Sequence, residues 1–136
     1  MPITCGYTPD VIRQYTKAGY WRSKNATDYI IENAAQRTDK IAYIQGEKSI
    51  TWGEYSILVD KLALAFLDMG IKKEDRFAIY LPDWKEAHIA IDALSKIGAI
   101  SVAININQRA KELEYMLNLT EAVGIITPSK WRERTI

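Results

Sequence analysis

Histidine and cysteine are almost missing from this sequence: His88 and Cys5 stand alone among 136 residues. A zinc site built from His and Cys needs more ligands than these two, and a serine or cysteine nucleophile would find only His88 as its imidazole base. A single cysteine also excludes an internal disulfide and fits a reducing compartment. Glycine is sparse too, standing at 6, 19, 46, 53, 70, 98 and 124, with no two closer than seven residues. Phosphate-cradling loops cluster glycines so that backbone N–H groups can approach the oxygens, so both a Walker loop and a dinucleotide fingerprint are excluded by spacing. No apolar run approaches the roughly 18 residues that span a bilayer. The start, MPITCGYTPDVIRQ, shows no basic segment followed by an apolar one, so no secretory signal is visible and a cytoplasmic protein is expected. Neither sign of charge dominates, with 18 Lys and Arg against 17 Asp and Glu, and nucleic acid, anionic membranes and acidic partners lose their usual signature.

What is present is strand and helix signal. Arg76 to Leu81 is a short, almost wholly apolar run stopped by Pro82, as expected of a strand buried on both faces. Asp83 is read as the N-cap of the next helix, with Glu86 completing a capping box ahead of Ala87, Ile91 and Leu94. That helix is expected to end at Ile97, with Gly98 as its left-handed stop. Ala99 to Ile104 is a second apolar run, and two buried strands joined by one helix make a parallel pair with a right-handed crossover. The fold class is therefore α/β.

The flanking segments supply further elements. Thr8-Pro9-Asp10 is an N-cap with proline at the first helical position; Val11, Ile12 and Tyr15 follow at helical spacing, Gly19 closes the turn, and Tyr20 is placed against Tyr15. The basic, aromatic run RQYTKAGYWR is weighed as a nucleic-acid arm and set aside for an amphipathic helix docking its aromatics on the domain. Thr27 to Ala34 reads as a short helix with Asp28 at its amino end. Ile41 to Gln45 and Lys48 to Thr51, joined by Gly46-Glu47, read as a hairpin with a type II′ turn. Thr51 and Glu54 form a capping box for a long helix whose expected buried face is Tyr55, Leu58, Val59, Leu62, Ala63, Phe66 and Leu67, closed by Gly70 with Ile71 over Phe66. Ala110, Leu113, Met116 and Leu117 mark one more one-sided helix, and Ala122 to Thr127 a further buried strand ended by Pro128. Ser129 to Ile136 resembles the first turn of another helix, so the domain is expected to continue. His88 is expected at a helix boundary one turn from Trp84. The carboxylate pairs Glu112 with Glu114 and Asp60 with Asp68 fall on polar helical positions.

Two motifs then suggest a family. Ile50-Thr51-Trp52-Gly53-Glu54-Tyr55 resembles the first core motif of the adenylate-forming enzymes, and Leu94 to Asn105 resembles the second, whose glycine is Gly98. The resemblance runs from Tyr15 to Thr127 in matching order, including Leu81-Pro82-Asp83-Trp84 and Arg109 with Glu112-Leu113; the Gly19-Tyr20-Trp21 arm is similar to that of dihydroxybenzoate-AMP ligases and some acyl-CoA ligases. Ala103, Asp83 and Asn107 depart from common family residues, which bears on substrate class. The resemblance implies an arm over residues 1–24 and, over 25–136, the incomplete N-terminal subdomain of the acyl-CoA synthetase-like fold: a mostly parallel sheet flanked by helices, with a β-hairpin near the start. It also implies that the whole enzyme joins a carboxylic acid to ATP with Mg and passes the acyl group to a thiol, usually that of CoA. The family's phosphate loop, acyl pocket and catalytic lysine have no counterpart here, so no catalytic, cofactor-binding or metal position is assigned and no cofactor is expected on this stretch. Two alternatives stay open: an aryl-acid ligase loading a carrier protein, and a self-contained α/β interaction module without chemistry. Self-association is compatible with either.

Overall fold

A computed structural model describes residues 6–131 and 134–135. Helix α1 (Pro9–Lys17) is capped by Thr8, whose hydroxyl accepts from the Val11 amide, and leads into α2 (Ala26–Gln36). The hairpin β1 (Ile41–Gln45) and β2 (Lys48–Thr51) precedes the long α3 (Trp52–Asp68). Then come β3 (Arg76–Ile79), α4 (Lys85–Lys96), β4 (Ile100–Ala103), α5 (Ala110–Thr120) and β5 (Gly124–Ile126). Among the described residues no helix is long and apolar enough to cross a membrane.

The sheet runs β4-β3-β5, with both neighbours parallel to β3. Because the side chains of a strand alternate between faces, β3 and the residue after it feed two separate cores. Phe77 and Ile79 point into one, with Val59, Phe66 and Leu94 from α3 and α4; Ala78 and Tyr80 point into the other, with Ile104 and the apolar side of α5. Val59 and Leu94 are 1% and 0% exposed, and burying each contributes on the order of 1.5–3 kcal/mol. The expected two-sided burial of β3, the parallel pairing of β3 with β4 and the one-sided α5 are all present.

Helix ends follow the local signals closely. Thr51 Oγ1 accepts from the Glu54 amide at 3.2 Å while Glu54 accepts from the Thr51 amide at 2.8 Å. At the end of α4 the Gly98 amide reaches Ser95 O and the Ala99 amide reaches Leu94 O, a Schellman stop with Gly98 at φ +76°. The same bonds recur after α3, where Ile71 closes over Phe66, and after α1, where the Tyr15 and Tyr20 rings meet at 6.0 Å. The hairpin turns at Gly46 with φ +60°, and Glu47 keeps a negative φ, the type II′ pattern.

Five expectations need correction. Asp83 does not cap α4: the helix starts at Lys85, and the Asp83 carboxylate instead meets His88 Nε2 at 2.8 Å. The Lys85 amide is satisfied by Gln45 Oε1 at 3.0 Å, from the hairpin. On α3, Tyr55, Val59, Ala63 and Phe66 are buried, but Leu58 and Leu67 are 37% and 51% exposed, because α2 and α4 cover only part of the apolar arc. The α1 aromatics pack on one another, with Trp21 against both Tyr7 and Tyr15, and no α1 residue is buried. β5 is an edge strand with Val123 and Ile125 exposed, not a fully buried one. The terminal run forms the antiparallel pair β6 (Lys130–Trp131) and β7 (Arg134–Thr135) in place of a helical turn; pairing satisfies backbone groups that a single helical turn leaves open. Arg132, Glu133 and Cys5 lie outside the described residues.

Candidate functional site

From β3 the chain passes through α4 to β4 on one side, then returns through α5 to β5 on the other. The strand order reverses between β3 and β5, and in open α/β sheets a crevice beyond the carboxyl ends of the strands at such a point is the usual ligand seat. A crevice of about 540 Å³ lies there. The turn after β3 contributes Leu81 and Trp84, the start of α4 Lys85 and Glu86, the segment after β5 Thr127 and Ser129 with Lys130, and the hairpin Gln45 and Lys48. Its size falls within the range typical of small-molecule sites, roughly 300–1,000 Å³.

Three lysines face one carboxylate, so the crevice favours an anion. Lys85 Nζ donates to Glu86 Oε1 at 2.6 Å. Burial pushes the Glu86 carboxyl up, but the Lys85 hydrogen bond, its own backbone amide and the charges of Lys85 and Lys48 outweigh that and hold it below the usual carboxylate range. The first turn of α4 offers little of a phosphate cradle: the Lys85 amide goes to Gln45, and the Ala87 and His88 amides to Trp84 O. Recognition of an anion here falls to the ammonium groups and to the hydroxyls of Thr127 and Ser129. ATP needs more than this, and no step of nucleotide chemistry is derived through these residues. No cluster of three or more His, Cys, Asp or Glu able to hold a metal occurs among the described residues.

The residues weighed in the sequence take other places. His88 sits half-exposed on α4 between Asp83 and the Tyr43 ring, outside the crevice. Glu112 accepts from the Arg109 amide and Asp60 pairs with Lys96, while Glu114 and Asp68 are exposed. Gln45, Lys48 and Lys130 gave no signal in the sequence, since lysines beside turns are commonplace and only tertiary packing brings the hairpin and the segment after β5 together.

Comparison with known proteins agrees with this architecture. The family profile described as "AMP-binding enzyme" matches residues 30–135. The 2,3-dihydroxybenzoate-AMP ligase of Bacillus subtilis is 31% identical over 93% of the chain, and the medium-chain fatty-acid–CoA ligase of Escherichia coli 30% over 98%. In both cases the chain spans 24% of the relative. The apo structure of Mycobacterium smegmatis MbtA superposes with a TM-score of 0.82 at 28% identity, covering 88% of this chain and 23% of that one. The N-terminal subdomain of Klebsiella oxytoca NpsA, solved in complex with anthranilyl-AMSN, gives 0.74 at 27% identity, covering 78% and 28%. The fold is thus that of part of an adenylation enzyme's N-terminal subdomain, and the chain belongs to the AMP-binding enzyme family.

Proposed function

We propose that this chain is the N-terminal part of an ATP-dependent ligase that activates a carboxylic acid as its acyl-adenylate and transfers the acyl group to CoA. The carrying observation is the family match over residues 30–135, through hairpin, capped α3 and both crossovers in one order. Residues 1–24 are the arm, and 25–136 the α/β portion of the AMP-binding domain. ATP, Mg and CoA belong to the whole enzyme, and the cytoplasm is its working compartment. Adenylate formation needs fixed donors and a cation where charge builds as pyrophosphate leaves. The engaged Lys85, Ala87 and His88 amides at the start of α4 support the reading that these 136 residues fold without catalysing.

A second reading, an aryl-acid AMP ligase loading a carrier protein, is favoured by the arm: Tyr15, Tyr20 and Trp21 form a compact aromatic group, in the segment that is similar to dihydroxybenzoate ligases. The test is carboxylate-dependent exchange of pyrophosphate into ATP over a panel of aliphatic and aromatic acids. The 136-residue chain is expected at background and a product carrying the rest of an adenylation domain well above it. Thioester formation on added CoA would support the CoA ligase, and acylation of a phosphopantetheinyl carrier alone would support the second reading. Exchange by the 136 residues themselves would overturn the inactive-part proposal.

A further inference from the structure

A second cavity, of about 160 Å³ and sharing no lining residue with the crevice, opens between the hairpin, the start of α3 and the first two turns of α4. Four of its lining residues are rings. Trp52 and Tyr55 meet edge to face, with centroids 6.1 Å apart at 78°, and Tyr43 lies against His88 at 5.3 Å. The remaining polar wall is Asp92, whose Oδ2 accepts a 2.6 Å hydrogen bond from Tyr55. Burial first, and then Asp92 itself, pushes the Tyr55 phenol up, so it stays a donor.

Asp92 is set apart by its surroundings, a carboxylate that lines a ring-walled cavity and accepts from a phenol. Asp92, half-buried, makes no ion pair among the described residues, and the nearby His88 is turned to Asp83. Aromatic faces carry the negative end of the ring quadrupole, so rings and carboxylate attract the same kind of ligand and repel an anion. The volume corresponds to about five waters and lies below the roughly 300 Å³ of drug-sized pockets. It has room for a head group, not for a nucleotide.

We propose that the Tyr43–Trp52–Tyr55–His88 box with Asp92 is a binding site for a small organic cation, an alkylated or quaternary ammonium head whose weak hydration lets it exchange water for ring faces. Such a head could be free, as in choline, or carried on a peptide, as in trimethyl-lysine. The site is separate from the crevice and does not depend on the proposed ligase activity.

The test is an NMR titration of the 136-residue chain at constant ionic strength with tetramethylammonium, choline, an acetylated trimethyl-lysine amide and sodium chloride. Saturable shifts of the Trp52 indole and the Tyr43 ring are expected for the organic cations with Kd near ~1 mM, and none for sodium. Choline and the lysine derivative both uphold the site, and the tighter of the two identifies its source. Asp92→Asn, which keeps an acceptor for Tyr55, is expected to weaken binding on the order of 10-fold. If that variant does not fold, Tyr43→Leu on the partly exposed hairpin decides, with a loss of several-fold expected. No saturable shift up to about 100 mM, two decades above the expected Kd, equal binding of sodium, or undiminished binding by the variant that folds would each overturn the proposal.

Discussion

Gly124→Ala isolates packing from backbone conformation. Gly124 has an ordinary negative φ, so alanine meets no torsional penalty. A Cβ built there, however, lies 2.4 Å from Phe77 Cε2 and 3.0 and 3.1 Å from the next two ring atoms, where carbon atoms normally rest about 3.5–4 Å apart. The ring must retreat by roughly 1 Å. It has nowhere to go: Phe77 is 4% exposed and its ring stands 5.0 Å from that of Phe66, itself 2% exposed. Overpacking of a closed core costs about 1–3 kcal/mol, and a rigid aromatic neighbour argues for the upper part, about 2–3. For a domain of this size each kcal/mol moves Tm by about 4 °C, so a fall of roughly 8–12 °C is expected by differential scanning calorimetry. The causal claim is tested by a double-mutant cycle with Phe77→Leu, which removes the obstructing ring edge. The pair should lose at least ~1 kcal/mol less than the sum of the singles. A Gly124→Ala protein melting within about 2 °C of the parent, roughly 0.5 kcal/mol, or strict additivity with Phe77→Leu, would refute the reasoning.

Gly98→Ala should cost about 1–2 kcal/mol for a different reason, the left-handed φ of +76°; because its nearest neighbour is the flexible, exposed Lys73 side chain, Lys73→Ala should give no rescue in urea melts. Thr51→Ala removes the α3 cap and should lower stability by about 1 kcal/mol, seen as a fall of about 4 °C in Tm. Tyr55 has its ionisation raised in the folded state, so the stability it contributes is fully present below the ordinary tyrosine pKa near ~10 and is lost as pH climbs past it. Denaturant melts between about pH 9 and 11 should therefore show a shallower loss for Tyr55→Phe than for the parent, and identical slopes would refute that assignment.

Which features the sequence disclosed depended on how far away each residue's partner lies. The Thr51 box, the Schellman stops and the Thr8 cap have partners within five residues, so their chemistry is visible in a short window. The two-sided burial of β3 was visible in its composition. Asp83 misled because capping chemistry was present without the geometry: His88 engaged the carboxylate, and Gln45, 40 residues away, took the amide. Leu58 and Leu67 obey the helical period, yet period says which residues share a side, not how wide the neighbouring elements are. Gly124 looked like an unremarkable strand residue because the ring that forbids a side chain there comes from Phe77. Both cavities, too, are assembled from separate segments, with single lysines, tyrosines and an aspartate that carry no spacing signature.

The central position of β3 also has a kinetic consequence. Its pairing with β4 joins residues 24 apart, Phe77 to Ser101, but its pairing with β5 joins Phe77 to Gly124 only after a second crossover has been formed. Chain closure over the longer loop is entropically dearer and slower, so the most deeply buried strand keeps one flank open until late in folding. Substitutions at Gly124 should then act mainly on the unfolding limb of a chevron, whereas those in the α3–α4 contact, such as at Val59 or Leu94, should slow refolding. During that interval the unpaired flank of β3 is the part of the chain most able to recruit a strand from another molecule, and refolding yield should fall with protein concentration before equilibrium stability does.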